Sequence, residues 1–122
     1  MPKSEWIFRS TPFPNVLLDE LMPKLRDSEW RLVCIVVRQT LGWVDPLTGR
    51  RKRSDWLSHR QLIIRSGRQS AALSRALDVL SRSEVIDITD DFGRRLETAA
   101  KRRRHRGKMR IGLNRRWIPS YQ

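Results

Sequence analysis

The spacing of apolar positions changes along the chain, and each change marks an element. After Pro14 and Asn15, the positions Leu18, Leu21, Met22 and Leu25 recur at helical spacing. Asn15 is placed to cap that helix, and Pro23 to end or kink it after about two turns. The next run, "DSEWRLVCIVVRQTLG", opens with Asp27 or Ser28 as a cap and Glu29 at the positive end of the helix dipole. It is apolar on nearly every side, which predicts a buried central helix. Gly42 is expected to stop it and Trp43 to pack back on the core.

Beyond Trp43 the pattern breaks. Asp45-Pro46 and Thr48-Gly49 are turn signals on a loop that carries Arg50, Arg51, Lys52 and Arg53. "DWL", residues 55–57, predicts a short strand. Ser58 then caps a helix through about Ser66, with Leu62 and Ile63 facing inward, and Gly67 supplies a turn. A further helix from about Gln69 or Ser70 to Arg82 carries its stripe at Leu73, Ala76, Leu77 and Leu80. Val85 to Thr89 alternates and is β-branched, "DDFG" reads as a turn, and Met109, Ile111 and Leu113 alternate in a returning strand. The stretch between, "RRLETAAKRRRHRGK", fits a long loop or a helical turn over 96–102. Trp117 and Ile118 of the tail are expected to dock on the domain.

Two helices around a glycine turn, followed by a hairpin with a basic tip, have the spacing of a winged helix-turn-helix. The fold class predicted is therefore α+β, mainly helical, with a C-terminal β-hairpin wing. Length agrees with a single domain over 1–122. The helical core and helix-turn-helix span 8–89, the wing 85–114, and the tail 115–122.

Charge sharpens the picture. The net charge is +13. Residues 1–49 hold six basic and six acidic side chains, so the whole excess lies in 50–122. A neutral half joined to a strongly basic half suits a polyanion partner, and nucleic acid is the usual one. An acidic membrane surface fits less well, because no basic amphipathic helix with an exposed Trp/Leu face stands out. A solvated charge run without a partner is the plain alternative. The longest apolar run, residues 32–37, is far short of a membrane span, and the N-terminus lacks the apolar stretch of a secretory signal. The single cysteine, Cys34, allows no internal disulfide and fits a reducing compartment. The expected location is the cytoplasm.

In a winged helix the second helix of the pair would present Gln69, Ser70, Ala71, Ser74 and Arg75 to the major groove. Arginine can read guanine by two hydrogen bonds, which makes Arg75 the strongest candidate for base readout; a phosphate contact, or a side chain that only solvates the helix, is the alternative. Ser58, His59, Arg60 and Arg68 lie at helix starts that suit phosphate oxygens. The wing would offer Arg94, Arg95, Lys101, Arg102, Arg103, Arg104, His105, Arg106 and Lys108, a set whose arginines suit a minor groove. Arg50, Arg51, Lys52 and Arg53 form a second basic site for phosphates. Trp30, Trp43 and Trp117 sit among apolar neighbours and are expected in the core rather than as base-stacking platforms. Trp56 is expected half buried, and Trp6 is undecided.

Catalysis finds no support in the sequence. His59, His105 and Cys34 do not have metal-ligand spacing, and "RSGRQS" lacks the lysine of a phosphate loop. The pairs Asp19-Glu20 and Asp90-Asp91 read as caps or solvated residues. No enzyme activity, cofactor or metal is expected. Double-stranded DNA is the expected partner. No coiled-coil or self-pairing element stands out, so monomer and homodimer stay open.

"SHRQLIIRSGRQSAALSRALDVLSRSEVI" resembles the helix-turn-helix of bacterial winged-helix DNA-binding domains. Upstream, "FPN" and "RQTLGW" (Arg38 to Trp43) make residues 8–89 similar to the N-terminal domain of the phage replication protein O family. That family has an apolar residue where this chain has Arg68, and a glycine where it has Glu84. The resemblance implies origin recognition by a winged helix in a phage or plasmid, with replication machinery as a further partner. A small transcriptional regulator of a mobile element and a nonspecific architectural or RNA-binding protein are the alternative expectations.

Overall fold

The computed structural model describes residues 9–118. Trp6 and the last residues of the tail lie outside that range. Among the described residues the order is α1 (Leu17–Leu21), α2 (Asp27–Thr40), β1 (Ser54–Leu57), α3 (His59–Ser66), α4 (Ser70–Arg82), β2 (Ile86–Thr89), α5 (Ala99–His105) and β3 (Met109–Leu113). The class is α+β, with a three-stranded antiparallel sheet in the order β1-β3-β2.

The first helix departs from the expected stripe. It is one turn of wide π winding, in which the Met22 N–H reaches the Leu17 carbonyl, followed by a 3-10 turn at Met22–Lys24 that contains Pro23. Residues four apart fall on one side of that winding, so Leu17 and Leu21 are buried while Leu18 and Met22 stay exposed. Asn15 makes no side-chain cap; it already lies within the helical turn.

α2 begins one residue earlier than its expected caps. Arg26 holds the cap position, and its backbone N–H donates to Glu29 Oε1 at 2.9 Å. Asp27 and Ser28 lie inside the first turn. The helix buries Leu32, Val33, Ile35, Val36 and Val37 and packs on α3, α4, β1 and β3, as its all-round apolar sequence predicts. Each fully buried side chain of that size contributes roughly 1.5–3 kcal/mol.

The segment "RQTLGW" ties α2 to its surroundings. Gln39 donates to Asp55 Oδ2 at 2.8 Å and accepts from Arg65 Nη1 at 2.6 Å, so it joins α2 to β1 and α3. The Leu41 carbonyl accepts from Arg51 at 2.8 Å. At Gly42 a Cβ would lie 2.3 Å from the Arg38 carbonyl oxygen, so a side chain has no room there. Trp43 does not return to the core; it is half exposed, beneath the Arg38 guanidinium at 5.1 Å. Its backbone explains why. The Trp43 N–H goes back to Thr40 and its carbonyl takes the Lys52 N–H, which starts a small antiparallel bridge at Val44 and Arg51 and turns the ring outward.

β3 is the central strand because it bonds both neighbours. Leu57 faces Met109, Ile88 faces Ile111 and Ile86 faces Leu113. These six are buried against the helices, and the alternate positions Ser54, Trp56, Asp87, Thr89 and Arg110 turn to the other face. The core stripe of α4, Leu73, Ala76, Leu77 and Leu80, is buried as the spacing predicts. Leu96 of the β2–β3 connection joins the core, and Trp30, Ile63, Trp117 and Ile118 pack against it.

Candidate nucleic-acid interface

The α3–α4 corner follows from its sequence. The Ser58 hydroxyl accepts from the Gln61 N–H at 3.1 Å, and Gln61 Oε1 accepts from the Ser58 N–H at 2.8 Å, a reciprocal cap. Gly67 ends α3 at φ 68°, a left-handed conformation that favours glycine. Gln69 then holds the cap position of α4 without a side-chain cap, and no acidic residue sits in the first turn of that helix. Gln69, Ser70, Ala71 and Arg75 are exposed, as is Arg60 on α3. Ser74 is half buried.

The connection between β2 and β3 holds a helix. α5 is capped by Thr98, whose side chain accepts from the Lys101 N–H. The helix covers 99–105, so the helical alternative for this stretch holds, shifted three residues towards the C-terminus. It docks on the flank of α4 through Arg102, which is only 9% exposed. Arg102 Nη2 donates to Asp78 Oδ1 at 2.5 Å and to the Ser74 carbonyl at 3.2 Å, and Nη1 to the Leu96 carbonyl at 3.1 Å. Arg102 is thus corrected from the expected DNA contact to the pin that holds α5 on α4. Its neighbours Lys101, Arg103 and Arg104, with Arg106 and Lys108 beyond, remain exposed. Helical period is the reason: only one side of α5 can face α4.

Other candidates are partly engaged within the fold. Arg68 pairs with Asp27, which also takes Arg31 at 3.1 Å, while Arg31 Nη1 donates to the Ser66 carbonyl at 2.7 Å. This cluster clasps the α3–α4 turn to the start of α2, so Arg68 serves the fold. The Arg68 hydrogen bond, helped by the charges of Arg31 and Arg68, outweighs desolvation and holds the Asp27 carboxyl below its ordinary value. Arg94 meets Asp90 at 2.8 Å and lies 5.2 Å over the Phe92 ring. Burial opposes ionisation of Asp90, but the Arg94 and Phe92 N–H groups and the Arg94 guanidinium outweigh it and lower its pKa. Asp90 is therefore the organiser of the turn after β2 rather than a solvated acid. Lys101 pairs with Glu97 at 2.5 Å. Arg95 is exposed beside its backbone bridge to Thr89.

His59 Nε2 lies 2.9 Å from Ser70 Oγ, so it links the starts of α3 and α4. Burial first, and the Arg102 charge second, lower its pKa. A ring that is neutral at pH 7 is a hydrogen-bonding link rather than a cation for phosphate. His105 Nε2 meets the Lys108 carbonyl at 2.8 Å and closes the turn after α5.

Residues 50–53 lie elsewhere, at the head of β1. Arg51 is held by the Leu41 carbonyl, Lys52 lies 3.4 Å from Asp55, and Arg50 and Arg53 are exposed. Sequence reasoning missed two cations beside them, Arg110 and Arg115, which line the same hollow. The signal for Arg110 was its polar position in the alternation of "MRIGL". Among the described residues no cluster of three His, Cys, Asp or Glu side chains could hold a metal ion, and no helix is long and apolar enough to cross a membrane. No family model, curated protein or solved structure matches the chain.

Proposed function

We propose that this chain is a winged-helix protein that binds double-stranded DNA with sequence preference, and that it recognises a replication origin of a phage or plasmid. α4 lies in the major groove with Gln69, Ser70, Ala71 and Arg75 towards base edges. Arg60, Arg103, Arg104 and Arg106 meet the flanking phosphates. The observation that carries this reading is the docking of α5 on α4 through Arg102 and Asp78. It holds α5, with Lys101, Arg103 and Arg104 exposed, on the flank of α4 one to two turns into that helix, whose own start has no side-chain cap and no acid. Such a start attracts phosphate through its free N–H groups and the helix dipole, and the adjoining cations supply the counterion-releasing contacts.

Glu84 adds support for the fold assignment. It holds φ 58°, a conformation that favours glycine, at the place where the resembled family has glycine. The origin assignment rests on "FPN" and "RQTLGW", and a bacterial cytoplasmic location goes with it. The test is a footprint of the purified protein on DNA flanking its own gene, with excess random competitor. A bounded site on origin repeats is the expected result. A site over a promoter would make the protein a regulator, and uniform weak protection would overturn sequence-specific recognition.

A further inference from the structure

We infer that the outer face of the sheet is a second nucleic-acid site, one that takes single-stranded DNA. The strand register builds it. Trp56 of β1 stands opposite Arg110 of β3, and Arg110 opposite Thr89 of β2, all on the face turned away from the apolar layer. Trp56 and Arg110, with Arg50, Arg51 and Arg115, line a hollow of about 630 Å³. A smaller hollow of about 230 Å³ shares Arg53, Arg110 and Arg115 and runs over Gly112. A Cβ at Gly112 would lie 2.3 Å from the Arg53 carbonyl oxygen, so no side chain can fill the floor there.

The chemistry of this groove differs from that of a solvated charge run. The Arg110 guanidinium lies 5.7 Å from the centroid of the Trp56 ring, and its Nε donates to Ser54 Oγ at 2.7 Å. A neutral hydroxyl and an aromatic ring therefore position this cation. Among the described residues neither Arg50, Arg110 nor Arg115 pairs with a carboxylate. The acid beside the ring, Asp55, is already held by Gln39 at 2.8 Å and Lys52 at 3.4 Å. Asp45 accepts the N–H of Leu47, and Asp87, which lines the smaller hollow, accepts from Asn114 Nδ2 at 3.0 Å. The groove thus keeps its positive charge next to an aromatic platform. A duplex meeting a shallow surface offers phosphates but keeps its bases stacked inside. An unpaired strand offers both, with phosphates for the arginines and base faces for Trp56 and the Arg110 plane.

This site does not depend on α4, and the experiment keeps the two apart. Fluorescence anisotropy is measured with a labelled oligo-dT strand and, separately, with a random duplex, for the full chain and two variants. Arg110→Gln combined with Arg115→Gln, and Trp56→Phe as a variant that keeps a ring in the sheet, are compared at one salt concentration. The double arginine variant is expected to weaken oligo-dT binding about five- to a hundredfold, and Trp56→Phe by a smaller factor, with duplex binding little changed. Saturating duplex is expected to leave oligo-dT bound. Unchanged oligo-dT affinity in both variants, equal losses on both DNAs, or displacement of oligo-dT by duplex would each overturn the second site. Failure of α4 to bind duplex would leave the oligo-dT result standing.

Discussion

Two basic runs, residues 50–53 and 101–106, read alike in the sequence, and the fold treats them differently. The first lies on an irregular segment, where two of the side chains find their own local partners: Arg51 a carbonyl, Lys52 a carboxylate. The second lies on a helix, where period sorts the cations. Arg102 turns in to Asp78, while Arg103 and Arg104 turn out. The lesson is that a charge run is not a binding site until something fixes its geometry. In the second run one buried arginine supplies that geometry for the rest. In the first run the geometry comes from the sheet beside it, through Trp56 and Arg110.

The sharpest way to break this comparison is Asp78→Ala. It leaves the guanidinium of Arg102 largely buried without its carboxylate, and removing one partner of a buried pair costs on the order of 3–5 kcal/mol. Asp78 is itself partly exposed, so about 2–3 kcal/mol is expected in urea unfolding. Arg103→Gln should leave the midpoint unchanged. Equal stability of the two variants would mean that α5 is not pinned to α4.

Arg75→Ala tests whether α4 does something that the cation row does not. Affinity for the footprinted site should fall by roughly 1–3 kcal/mol and one base position should relax. An equal loss on random duplex would place Arg75 on a phosphate instead.

Arg103→Gln with Arg104→Gln should weaken every duplex alike. The slope of log affinity against log salt should flatten by about 0.9 for each phosphate that is no longer neutralised. Arg50→Gln should leave the duplex slope as it was. If Arg50→Gln flattens it equally, the two runs act as one diffuse field and the distinction between them fails.

The smallest effect is expected at the turn before β2. Glu84→Gly relieves a left-handed non-glycine residue, for which about 1 kcal/mol of stabilisation is reasonable. The bridge it forfeits, Arg116 to Glu84 at 3.6 Å, is exposed and is worth little. A lower thermal midpoint for Glu84→Gly would show that the glutamate has a role beyond its backbone.

Much of the scaffold was legible in the residues alone. Ser58, Gly67 and the stripe Leu73, Ala76, Leu77 and Leu80 located α3, the turn and α4 because caps, left-handed turns and helical faces are local properties. The alternation of Met109, Ile111 and Leu113 located β3 for the same reason. Trp43 misled, since an apolar neighbourhood in sequence says nothing of which way a chain leaves a helix. Leu18 and Met22 misled because the π winding of α1 rotates the stripe.

The sequence by itself determined where α2, α3, α4 and the strands form, that the positive charge lies in the second half, and which residues offer hydrogen bonds or cations. Those follow from spacing and composition. Only the tertiary structure decided which cations remain available. Arg102, Arg68 and Arg103 are chemically identical, and the partners of the first two, Asp78 and Asp27, lie 24 and 41 residues from the arginines they hold. Pairings over such distances are set by how α5, α4 and α2 pack. The same packing brought Arg110 of the last strand over Trp56 of the first, 54 positions apart in the sequence, and so made a surface that no local pattern announces.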